Sequence, residues 1–110
     1  MVKITKQNNV TFKKKRPGVA IPNCAIDELQ LATLGFYGRL LDRVTNENVV
    51  FKSKEELILD MMTYSYDATR KKAEKAWDEL VKEGYILYSK DETGENIEVT
   101  YGPYGRIGEQ

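Results

Sequence analysis

Thr69, Arg70, Lys71, Lys72 and Lys75 put four cations and a hydroxyl into seven consecutive residues. Ammonium and guanidinium groups at that density can neutralise phosphate oxygens, and one of them can reach a base edge from a helix lying in a major groove. Lysines are point charges on flexible stems, whereas a planar Arg fork suits guanine, so backbone contacts would dominate and binding would be steeply salt-dependent. Each phosphate neutralised adds about −0.9 to the slope of log K against log salt. The bland reading of the same run is a solvated helix face. Arg70 has two readings of its own: a phosphate contact, or an ion pair with an acid of the preceding helix.

A second basic group, Lys13-Lys14-Lys15-Arg16, has the composition of a minor-groove arm and equally of a solubilising tail. Lys90 and Asn96 flank a turn from which they could touch a minor groove, but Asp91, Glu92 and Glu95 beside them would repel a phosphate backbone. Tyr64 and Tyr66 could give hydroxyls to phosphates or pack a turn against a helix end. Catalytic chemistry is poorly provided for. Histidine is absent, which removes the usual general base and zinc partner. Cys24 is the only cysteine, so no intrachain disulfide can form, and it reads as a small apolar residue, buried or half-buried. No Gly-rich phosphate loop or nucleophile elbow occurs, and no motif pairs the carboxylates. The chain is expected to be no enzyme, with no cofactor, no metal and no small-molecule substrate.

The elements that must position these residues run from Ser53 to Tyr101. Ser53-Lys54-Glu55-Glu56 has the spacing of a capping box, and Leu57, Ile58, Met61 and Met62 then share one helical face. After a turn, with Asp67 or Thr69 as cap, a second helix is expected over Ala68 to Glu83. At about 100° per residue, Ala73, Trp77, Leu80 and Val81 share one arc, and Lys71, Lys72, Lys75, Glu79 and Lys82 lie opposite. That arc makes Trp77 a core anchor. Gly84 suits the left-handed position after a helix end, and Tyr85-Ile86-Leu87-Tyr88, the turn Asp91-Glu92-Thr93-Gly94 and Ile97-Glu98-Val99-Thr100-Tyr101 read as a hairpin. Upstream, Asn23 or Asp27 is expected to cap a short helix. A longer helix follows, with Leu31, Leu34, Tyr37, Gly38, Leu41 and Val44 as its buried stripe. Gly35 and Gly38 read as places where another helix approaches, and Val49-Val50-Phe51 as a short strand pairing with the hairpin.

Helix, basic helix and hairpin, in that order, are the order of a winged helix-turn-helix. Ile21-Pro22-Asn23, then Leu31-Ala32-Thr33-Leu34-Gly35-Phe36-Tyr37-Gly38-Arg39-Leu40-Leu41, then Ala76-Trp77-Asp78-Glu79-Leu80-Val81-Lys82-Glu83-Gly84-Tyr85-Ile86 resemble the winged-helix domains of replication and regulatory proteins from phages and plasmids of Gram-positive bacteria. The resemblance covers about Ile21 to Tyr101. It departs from that family at Thr33-Leu34, where a Lys often precedes the glycine. It implies a role as a transcriptional regulator or replication accessory of a phage or other mobile element.

The fold class expected is mainly α with a small antiparallel sheet: a basic arm over residues 1–20, one winged-helix domain over 21–101 and a turn-rich tail over 102–110. No apolar run reaches membrane-spanning length and no export leader opens the sequence, so cytoplasm is the default. Net charge is zero, but residues 1–16 carry six basic residues and no acid, while residues 17–68 carry four basic and eight acidic ones. Two basic patches on an acidic body suit duplex DNA as partner, and dimerisation would add affinity on a symmetric site. The competing class is a winged-helix module that binds, and in one version inhibits, a host or phage protein, with neutrality and the acidic wing serving that contact.

Overall fold

The computed structural model of the chain describes residues 19–64 and 69–107, and among these described residues four α-helices precede one antiparallel hairpin, an order compatible with a winged-helix layout. The helices are α1 (Asn23–Glu28), α2 (Leu31–Thr45), α3 (Lys54–Tyr64) and α4 (Arg70–Lys82), and the strands are β1 (Ile86–Asp91) and β2 (Gly94–Val99).

The helix ends show why the chain breaks where it does. Ser53 Oγ accepts from the Glu56 N–H at 3.1 Å, as a capping box requires. The Glu56 carboxylate, however, reaches past Ser53 to the Lys52 N–H at 2.9 Å. At the head of α4, Thr69 is the cap, its hydroxyl accepting from the Lys72 N–H. Pro22 occupies the cap position of α1, so neither Asn23 nor Asp27 caps it: the Pro22 carbonyl itself receives the Ala25 and Ile26 N–H groups. Gly84, at φ +89°, stops α4, with the Tyr85 N–H returning to the Leu80 carbonyl and the Gly84 N–H to Val81.

On α2 the buried stripe is Thr33, Phe36, Tyr37, Leu40 and Leu41, with Leu34 and Val44 half-buried, and Leu31 is 85 % exposed. Glu79 of α4 fits this rotation. Its carboxylate takes the Thr33 hydroxyl at 2.6 Å and the Gln30 N–H at 2.9 Å, so Thr33 must face inward. Leu31, two residues and about 200° away, then faces outward. The expectation of helices meeting at Gly35 and Gly38 fails. A side-chain carbon at Gly35 would meet nothing within 4 Å, and at Gly38 it would meet only the Ile21 side chain.

Phe36, Tyr37, Leu40, Leu57, Ile58, Met61, Trp77, Leu80, Tyr85 and Ile86 belong to one core. The half-buried Arg43 of α2 grips Asp60 of α3 through Nε and Nη2, fixing that pair of helices. The strands pair from Ile86 with Val99 to Asp91 with Gly94, leaving Glu92 and Thr93 as a two-residue turn. Residues 49–51 are not a strand. Asn48 turns the chain at φ +56° and the Val49 N–H donates to the Arg43 carbonyl, so the segment is tied to the end of α2 while Phe51 is buried. Residues beyond the hairpin fold back: Gly102–Tyr104 form a 3-10 turn, Thr100 bridges to Arg106, and Ile107 packs against the core.

Candidate nucleic-acid interface

Helix α4 is held by its apolar arc. Ala73, Ala76, Trp77 and Leu80 are buried, Val81 is half-buried, and Lys71, Lys72, Lys75 and Lys82 are exposed. The division follows from spacing: residues three and four apart stack on one side of a helix, so burying 73, 76, 77 and 80 leaves 71, 72, 75 and 82 outside. Lys71 and Lys75 make no ion pair among the described residues. Glu79 was expected among these lysines but turns instead to the head of α2. There its negative charge opposes the positive end of that helix's dipole.

Arg70 takes the ion-pair reading. Its Nη1 donates to Glu55 Oε2 at 2.9 Å, its Nη2 pairs with Glu55 Oε1, and its Nε donates to Glu74 Oε2 at 2.9 Å. These contacts hold the Glu55 carboxyl below its ordinary range and the guanidinium above its own. Glu74 was legible as the acid four residues along the helix; Glu55, fifteen residues back, needed the fold to bring it near.

The hairpin is fastened to the same helices from its middle to near its tip. Trp77 and Tyr88 meet edge to face, with ring centres 5.2 Å apart, and Lys54 Nζ lies 5.5 Å from the Trp77 ring centre. Glu95 Oε1 accepts both the Lys54 N–H at 2.8 Å and the Tyr88 hydroxyl at 3.0 Å. Those bonds draw the Glu95 carboxyl below its usual range, and the Lys90 charge opposite it on β1 adds to the effect. Of the acids at the wing, Glu95 therefore points toward α3. Asp91 accepts from the Thr93 N–H and hydroxyl inside the turn, which lowers its pKa, and Glu92 is exposed. Lys90 is exposed on the strand.

The chain has no significant match among protein-family models, curated proteins or solved structures. Lys13, Lys14, Lys15 and Arg16, with Tyr66 and the side chain of Tyr64, lie outside the described residues. Among the described residues, then, Lys71, Lys72 and Lys75 are exposed on one helix, Thr69 and Arg70 stand at its head, and Lys90 sits apart on the hairpin. Cys24 is half-buried as expected, but with a polar neighbour: the Tyr85 hydroxyl lies 3.1 Å from its sulfur and 3.1 Å from Glu28 Oε1. Among the described residues no helix is long and apolar enough to cross a membrane.

Proposed function

We propose that the chain is a cytoplasmic winged-helix protein that binds duplex DNA, as a transcriptional regulator or replication accessory of a phage or other mobile element. The observation that carries the reading is the two-sidedness of α4, whose apolar side is locked into the core while Lys71, Lys72 and Lys75 stay exposed. In a winged helix, the second helix of the helix-turn-helix enters the major groove and the hairpin lies beside it. The basic side chains then neutralise phosphates, with affinity dominated by the backbone. The assignment to a mobile element, and to the winged-helix family, rests on the sequence resemblance. A homodimer is the expected assembly on a symmetric site.

A protein-binding role, inhibition included, is the second reading. It is favoured by one observation: Glu55 of α3 and Glu74 of α4 both sit against Arg70, reducing the net positive charge at the head of α4.

Fluorescence anisotropy with random duplex and with duplex from around the chain's own gene, at low and at physiological salt, tests both. Salt-sensitive binding by the wild type is expected. Lys71/Lys72/Lys75→Ala should weaken it at least tenfold and flatten the log K against log salt slope by about 2.7 if all three side chains meet phosphates. Absence of binding at low salt would overturn the duplex reading in favour of a protein partner.

A further inference from the structure

Arg70 is the only arginine of α4, stands in its first turn and has all three of its guanidinium nitrogens engaged by carboxylates. The grip of Glu55 is two-pronged: one carboxylate oxygen on each terminal nitrogen, the fork-to-fork pattern in which guanidinium also holds a phosphate. The contact is open to solvent, with the Arg70 side chain 47 % exposed and that of Glu55 56 % exposed. An external anion can therefore reach the same fork without the core opening. Lys71, the next residue, and Thr69, the preceding one, are exposed as well.

We infer that the Arg70 fork is a phosphate-binding position for the backbone of duplex DNA, filled in the free protein by the Glu55 carboxylate standing in for that phosphate. The inference rests on the duplex reading above and deepens it. On binding, a phosphodiester oxygen pair replaces the two Glu55 oxygens, while Glu74 keeps Nε and so keeps the fork aimed. Glu55 is thus a competitor that lowers affinity while leaving the number of phosphates neutralised in the complex unchanged.

A mutant cycle tests this: wild type, Glu55→Gln, Arg70→Ala and the double variant, each titrated with duplex by anisotropy across a range of potassium chloride. Circular dichroism and a thermal melt check that each variant is folded. Exposed ion pairs are weak, so Glu55→Gln should tighten binding by only about two- to fivefold. Its salt slope should stay that of the wild type, since the fork meets the same phosphate in both complexes, whereas Arg70→Ala should flatten the slope by about 0.9. The gain should vanish in the Arg70→Ala background. If the gain persists without Arg70, Glu55 acts merely as a negative charge near DNA and the subsite is wrong; no gain at all overturns it equally. Inorganic phosphate compared with chloride at equal ionic strength reads the same fork: phosphate should release more DNA from the wild type than chloride does, and an excess that persists in Arg70→Ala would place that competition elsewhere. If neither wild type nor Glu55→Gln binds duplex at low salt, the duplex reading falls and the subsite with it; wild-type binding with an unresponsive cycle removes the subsite alone.

Discussion

Glu79, Glu55 and Glu95 are three acids for which sequence alone names no partner, and each is committed to one on another element. Glu79 closes the head of α2, Glu55 closes the Arg70 fork, and Glu95 ties the hairpin to the first turn of α3. A carboxylate that accepts hydrogen bonds is stabilised in its charged form, and Glu95 accordingly titrates below its ordinary value of 4.5. Its folded pKa lies below its unfolded one, so its contribution to stability is present above the unfolded pKa and is lost as pH falls through the folded value. In an NMR pH titration, the Glu95 carboxyl and the Lys54 amide are expected to shift together, with a midpoint under 4.5. A midpoint at or above that value, with the Lys54 amide unmoved, would remove the tie.

At the scale of elements, α4 is the piece on which the functional reading depends, and its length is fixed by its two ends. Thr69 supplies the hydroxyl at one, and Gly84 the left-handed backbone at the other. A side chain at Gly84 would meet no neighbour, so the objection to one is conformational, not steric. Gly84→Ala should therefore destabilise the fold by about 1–2 kcal/mol in urea unfolding, with no change in the folded contacts of Trp77. Unchanged stability would mean that the turn into β1 tolerates another backbone path. The hairpin's edge, by contrast, is joined to the helices through side chains. Residues 49–51 have no place in the sheet, and the Val49 donor is bound at the end of α2.

Over the whole molecule, Tyr37 links the first half of the chain to the last. It is fully buried, its hydroxyl donates to the Thr100 carbonyl at 2.6 Å, and its ring meets Tyr85 edge-on with centres 5.0 Å apart. Burial, with Cys24 and Tyr101 adding to it, pushes the phenol far above its usual range, so the proton that makes this bond stays in place at any ordinary pH. Tyr37→Phe keeps the packing and removes the bond, for an expected loss of about 1 kcal/mol by thermal or urea unfolding. A larger loss would show that the Thr100 carbonyl is left without a partner. Thr100 is otherwise well used, its hydroxyl donating to the Gly84 carbonyl and accepting from the Gly102 N–H. This is how the turn after β2 is brought onto the core.

The sequence by itself determined what is local. Periodicity placed Trp77, Ala73 and Leu80 inside and the lysines of α4 outside, turn chemistry located the hairpin, and Ser53, Thr69 and Gly84 marked helix ends. Each of these depends on residues no more than a few positions apart. Ala76 escaped the periodicity reading although its spacing from Ala73 and Leu80 would have included it. Tertiary structure alone decided which way α2 is rotated, that residues 49–51 form no strand, and which acid of the preceding helix Arg70 meets. A carboxylate can find a guanidinium or an amide only after the fold has brought distant elements together, and a helix with apolar residues on more than one side takes its orientation from whatever pins its first turn.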